Sequence, residues 1–167
     1  MVRAFLALGS NMGDKVENLR EALARLTHVP GVALLAASDV YRTPPWGKLD
    51  QDWFANAVVA VETSLSPEAL LEAALGVERA MGRVRDVRWG PRLIDIDVLM
   101  HGDARRDEEH LRLPHPAMQE RAFVLVPLAQ IAPGLMLSGE SVEAHLARLD
   151  RTGIEPMAAL APEPAAA

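Results

Sequence analysis

The chain contains no cysteine, which excludes disulfides, thiolate metal centres and cysteine nucleophiles. Aromatic residues make up 4% of the sequence. They are too sparse for the aromatic-rich strand on which single-stranded RNA modules stack bases. There is no excess of positive charge either: the net charge is −6, which argues against general nucleic-acid binding. No apolar run approaches the roughly 18 residues of a membrane span. The apolar stretch from Met1 to Leu8 is too short for a signal-peptide core and lacks a cleavage pattern. These absences lead us to expect a cytoplasmic protein with no membrane and no nucleic-acid partner. Its 167 residues suit one domain with a proper core. We place that domain at residues 1–155, followed by an Ala/Pro-biased tail, 156–167, expected to fray.

Half the residues are hydrophobic, and their spacing gives a coarse order of elements. Val2 to Leu8 reads as a strand that ends in a Gly9-Ser10-Asn11 turn. Asp14 caps a helix, with Glu17 three residues on and Val16, Leu19, Leu23 and Leu26 on one face. Val32 to Tyr41 reads as a second strand. A proline-containing loop, 43–52, separates it from a third, Phe54 to Thr63. Ser66-Pro67 opens a helix that ends near Gly82. A strand covers 93–100, and a short helix covers Arg121 to Gln130. Strand, helix, strand, strand, helix, strand predicts an α+β ferredoxin-like sandwich. It would have an antiparallel four-stranded core sheet, helices packed on it and additional C-terminal elements.

The densest chemistry lies in Arg88-Trp89-Gly90-Pro91-Arg92-Leu93-Ile94-Asp95-Ile96-Asp97-Val98-Leu99. Strand side chains alternate faces, so Ile94, Ile96, Val98 and Met100 share one face while Leu93, Asp95, Asp97 and Leu99 share the other. Two carboxylates about 7 Å apart on an apolar strand repel and are costly to bury unless neutralised. Pairing with Arg88 or Arg92 is one answer. A divalent cation is the simpler one, because magnesium takes one or two carboxylates plus substrate phosphates. Five arginines (79, 83, 85, 88 and 92) against a single acid, Asp86, make a basic island in an acidic chain. Guanidinium groups bind phosphate oxygens bidentately. A ring beside an amide, Phe54 and Asn56 on one strand face, is a receptor for a flat hydrogen-bonding heterocycle, or else a core phenylalanine and a turn-side asparagine. His115, flanked by prolines and followed by Arg121 and Phe123, is placed for a phosphate contact. His28, His101, His110 and His145 show no partner spacing and are read as surface residues.

These motifs resemble the 6-hydroxymethyl-7,8-dihydropterin pyrophosphokinase family. The likeness runs from Ala7-Leu8-Gly9-Ser10-Asn11 through Tyr41-Arg42-Thr43-Pro44-Pro45 to Leu113-Pro114-His115-Pro116. Its most specific part is the basic residue, Gly-Pro-Arg and Asp-hydrophobic-Asp of 88–97. The resemblance implies an enzyme of folate biosynthesis that works as a monomer on ATP and hydroxymethyl-dihydropterin. It implies that Asp95 and Asp97 bind two magnesium ions bridging ATP. Glu78, Arg83, Arg85, Arg88, Trp89, Arg92, His115 and Arg121 match positions at the nucleotide, and Thr43, Pro44, Trp46, Phe54, Asn56 and Phe123 match the pterin pocket. Arg83 and Arg92 would stabilise the transferring group, and Asp97 is the candidate proton acceptor. The chain departs from the family at Asp52-Trp53, where proline and a polar residue are usual, and at Trp46. Trp53 therefore competes with Phe54 as the stacking ring, although alternation pairs Phe54 with Asn56. The rival readings are a different magnesium-dependent phosphotransferase or nucleotidyltransferase, and an RNA-binding module.

Overall fold

A computed structural model describes residues 1–45, 52–82 and 93–161. Its main sheet joins β1 (Val2–Ser10), β2 (Val32–Ala37), β3 (Asp39–Thr43), β4 (Phe54–Thr63), β5 (Asp95–His101) and β10 (Glu155–Ala159). The order across it is β10-β3-β4-β1-β5, with β2 also paired to β4, and every pairing is antiparallel. Two helices lie on one face: α1 (Lys15–Thr27) and α2 (Pro67–Ala80). Their Leu19, Leu23, Leu26, Leu70, Ala74 and Val77 pack with Leu6, Leu8, Val59, Val61, Ile96 and Val98. The other face is covered by α3 (Ala122–Ile131) and α4 (Val142–Leu146). There Val124, Leu125, Leu128, Val142 and Leu146 meet Phe5, Val58 and Leu99. Two small hairpins complete the fold, β6 (Arg106–Glu108) with β7 (Leu111–Leu113) and β8 (Met136–Leu137) with β9 (Glu140–Ser141). This is the expected α+β ferredoxin-like arrangement, with extra strands at one edge.

Local chemistry sets both helix starts. The Asp14 carboxylate accepts from the Glu17 N–H and the Ser66 hydroxyl from the Ala69 N–H, each satisfying an orphan donor of the first turn.

Four expectations need correction. Val32 to Tyr41 is two strands. At Ser38 the side-chain hydroxyl accepts the Val58 N–H at 2.9 Å and donates to the Asp39 carbonyl at 2.7 Å, interrupting the backbone ladder. Gly9 and Ser10 belong to β1 and form no turn. Met100 leaves the face of Ile96 and Val98: Leu6 pairs with Val98 and Phe5 with Met100, so Leu99 is an extra residue and the strand bulges. Met100 therefore joins Leu99 on the α3 side. The tail does not begin to fray at 156. Glu155–Ala159 pairs with β3, and Leu160 is 1% exposed in the α1–α2 core; residues 162–167 lie outside the described residues.

Candidate active site

The α3 face of the sheet carries the candidate side chains in register. Directly paired residues of antiparallel strands point the same way. Gly9 pairs with Asp95 on one side and Asn56 on the other, and Asn56 pairs in turn with Tyr41. One row therefore runs Asp95, Gly9, Asn56, Tyr41 across four strands. The neighbouring rows hold Asp97 beside Ala7 and Val58, and Phe54 beside Thr43. Carboxylates thus occupy the β5 end of the face, and the ring and amide occupy the β4–β3 end.

The amide is anchored. Asn56 Nδ2 donates to Thr43 Oγ1 at 2.7 Å. Pro44, which follows Thr43, lies beside the turn before β10, 3.6 Å from where a Cβ on Gly153 would stand. Tyr41 donates its hydroxyl proton to Gln130 Oε1 on α3 at 2.8 Å, and Gln130 also holds Asp39 through its backbone N–H and carboxylate. Burial, and then the Asp39 charge, hold the Tyr41 phenol above its usual pKa.

Alternation puts Phe54 and Trp53 on opposite faces of the sheet. Trp53 packs on the α1–α2 side of the sheet. Its ring lies beneath Lys15 Nζ at 4.2 Å and Arg42 Cζ at 4.7 Å, both within cation–π range. Lys15 also pairs with Asp52 at 2.9 Å, and its hydrogen bond holds that carboxyl below its ordinary range. Trp53 is thus a fastening for the start of β4, and Phe54 is the ring on the site face.

At the β5 end, His115 is fixed by its backbone N–H donating to the Leu99 carbonyl at 2.9 Å. Burial lowers the His115 pKa and the nearby Arg121 charge lowers it further, against a smaller opposing pull from Asp95. Burial and the Arg121 charge thus favour the neutral imidazole. Arg121 stands at the start of α3, its guanidinium 5.8 Å from the centroid of the Phe123 ring. Its Nε is buried with no hydrogen-bond partner. An unsatisfied buried donor on a cation is costly and is suited to an anionic oxygen. A cleft of about 460 Å³ backs onto His115 between Gly102–Arg105 and Met136–Ser138, away from Phe54 and Asn56.

Glu78 reaches β5 from α2. It is 2% exposed on α2, and its Oε2 accepts the Ile96 N–H at 2.8 Å. Ile96 lies between the two aspartates on the edge strand, so the carboxylate caps an edge donor and fixes the strand that presents both. Trp46, Arg83, Arg85, Arg88, Trp89 and Arg92 lie outside the described residues. Among the described residues no group of three or more His, Cys, Asp or Glu forms a metal cage.

His101 and His145, expected at the surface, are buried instead. Their Nε2 atoms donate to the carbonyls of Leu65 and Leu137 at 2.7 Å each. The sequence offers Gly9 only as turn chemistry and motif, Tyr41 only as motif and Gln130 only as a helix end; the strand register and the docking of α3 bring all three to this face. No helix among the described residues is long and apolar enough to cross a membrane.

Comparison with known proteins bears on the family and the fold. Residues 5–133 match the family described as 7,8-dihydro-6-hydroxymethylpterin-pyrophosphokinase (HPPK). The 2-amino-4-hydroxy-6-hydroxymethyldihydropteridine pyrophosphokinase of Methylorubrum extorquens is 57% identical over 155 residues, 93% of this chain and 98% of the relative. The enzyme of that name from Pseudomonas aeruginosa is 44% identical, over 92% of this chain and 95% of its own. The one from Bacillus subtilis is 42% identical, over 90% and 87%. Among solved structures, a Plasmodium falciparum HPPK-DHPS superposes with a TM-score of 0.70 at 15% identity, which speaks to the fold alone. The match covers 87% of this chain but only 45% of that one, so this chain spans less than half of it.

Proposed function

The chain belongs to the 7,8-dihydro-6-hydroxymethylpterin-pyrophosphokinase family, and we propose that the α3 face of its sheet is where ATP and the pterin react. The enzyme transfers the pyrophosphoryl group of ATP to the hydroxymethyl group of 6-hydroxymethyl-7,8-dihydropterin, a step of folate biosynthesis. The hydroxymethyl oxygen bonds to the β-phosphorus, the bond from that phosphorus to the oxygen bridging to the α-phosphorus breaks, and AMP leaves. The alcohol's proton is lost in the same step, and Asp97 is the acceptor we assign.

The observation that carries the assignment is the lateral row. Carboxylates at Asp95 and Asp97 and an anchored amide at Asn56 share one face, separated only by β1. Phe54 offers a stacking surface, and the Asn56 amide can both donate to and accept from the pterin edge. Arg121, through its unpartnered Nε, would take a phosphate oxygen. Neutral His115 would donate or accept beside it without adding charge. Arg83 and Arg92 would complete the anion site, and Arg85, Arg88 and Trp89 would line it. Asp95 and Asp97 would hold two magnesium ions, which when bound supply charge neutralisation for the triphosphate and acidify the alcohol. The rest is positioning and electrostatics, the usual means of phosphoryl-type transfer. From the family likeness we expect a monomer, working in the cytoplasm where ATP is supplied.

Product identity is the test. The protein incubated with ATP, magnesium and hydroxymethyl-dihydropterin is expected to release AMP. ADP would indicate a simple kinase and pyrophosphate a nucleotidyltransferase, and either would overturn the reading.

A further inference from the structure

We propose that Gly9 is a positioning residue for the pterin: its missing side chain is what allows the Asn56 amide to lie where it does. This rests on the reading of Asn56 as a pterin contact.

Gly9 is the next-to-last residue of β1, with paired residues on both sides, and its φ is not positive. Neither a turn nor a special backbone angle therefore requires glycine. Glycine inside a strand weakens it through backbone entropy and lost packing, and it often marks a site where another group approaches closely. The approaching group is visible. A Cβ built on Gly9 would stand 2.8 Å from Asn56 Oδ1, and its next neighbours, at 3.9 Å, are the Ala55 carbonyl oxygen and Asn56 Cγ. The three atoms nearest to it thus all belong to Ala55 and Asn56 of β4. The amide is thus confined from two sides. On the β3 side Nδ2 is held by Thr43 Oγ1 at 2.7 Å. On the β1 side Oδ1 rests over a bare Cα.

A methyl group at position 9 would meet only the far end of the Asn56 side chain. The backbone need not move; the amide must. It would swing away from β1, and because Nδ2 is tied to Thr43, the swing strains that bond or breaks it. The fold is spared while the recognition geometry is lost. The carboxylate side of the face, assigned to the nucleotide, lies across β1 from the amide.

The test is a double-mutant cycle on the full chain with Gly9→Ala, Asn56→Ala and both together. Affinity for hydroxymethyl-dihydropterin and for a non-hydrolysable ATP analogue with magnesium is measured by calorimetry, alongside thermal melting. Gly9→Ala should weaken the pterin about tenfold, the scale of one misplaced hydrogen bond. ATP-analogue affinity should stay within about twofold, and the melting temperature should be unchanged or raised, since alanine restricts the unfolded chain. In the Asn56→Ala background the Gly9→Ala loss should vanish. Wild-type pterin affinity in Gly9→Ala would overturn the inference. So would an equal loss with and without Asn56, or a parallel fall in both affinities and in melting temperature. Wild-type pterin affinity in Asn56→Ala alone would instead overturn the placement of the pterin, and the inference with it.

Discussion

Glu78 offers the sharpest separation of a structural role from a ligand-contacting one. Its carboxylate is 2% exposed and accepts the Ile96 N–H at 2.8 Å. Replacing it with alanine removes a charge-assisted hydrogen bond and leaves a buried backbone donor without its acceptor. Hydrogen bonds to charged groups contribute roughly 1.5–3 kcal/mol. For a chain of this size that corresponds to a fall in melting temperature of about 4–10 °C. Glu78→Gln keeps an oxygen acceptor in the same place and should recover most of the loss. Because Ile96 separates Asp95 from Asp97, freeing its N–H also loosens the strand that presents both carboxylates. Glu78→Ala should therefore require several-fold more magnesium for half-maximal activity, while pterin affinity in the absence of nucleotide stays near wild type. Differential scanning calorimetry and a magnesium titration of AMP release give the two readouts. A Glu78→Ala protein that melts with the wild type, or a Gln variant as damaged as the alanine one, would refute the reasoning.

Further expectations concern the rings, the histidine and the last strand. Phe54→Ala should weaken pterin binding about tenfold or more, whereas Trp53→Phe should leave it within about threefold, both by calorimetry. Below its ordinary pKa of 6.5, His115 takes up a proton in the unfolded chain before it does so in the folded one, because burial and Arg121 hold the folded value down. Stability relative to the protonated form is full above that pH and lost as pH falls through the folded pKa. Melting temperature should accordingly drop on acidification below 6.5, and His115→Asn should flatten the drop. Leu160, 1% exposed, should cost about 2–5 kcal/mol as alanine, measured by urea unfolding; an unchanged midpoint would restore the frayed-tail view.

The features legible in the sequence were those set by neighbours a few residues apart. Asp14 and Ser66 cap their helices through bonds to the third residue on, and the alternation of β4 alone places Phe54 with Asn56 and Trp53 opposite. What the sequence hid depends on distant partners. The break at Ser38 exists because its hydroxyl replaces a backbone group against Val58. The bulge at Leu99 shows only in the register with β1. β10 forms because β3 presents an open edge more than a hundred residues earlier, and no periodicity within an Ala/Pro-biased stretch announces that. Gly9 looked like turn chemistry until its two strand partners were known. His101 and His145 looked like surface residues because a single carbonyl partner for each, Leu65 and Leu137, leaves no pattern in spacing.

The central claim is that Asp95 and Asp97 present divalent cations to the triphosphate on the face that also holds the pterin. Crystals of the protein with manganese in place of magnesium, a non-hydrolysable ATP analogue and hydroxymethyl-dihydropterin test it directly through anomalous scattering. The account predicts two manganese peaks within bonding distance of these carboxylates and of phosphate oxygens, with the pterin ring against Phe54. Ordered nucleotide with no metal at either aspartate, or metal bound away from both, would contradict it.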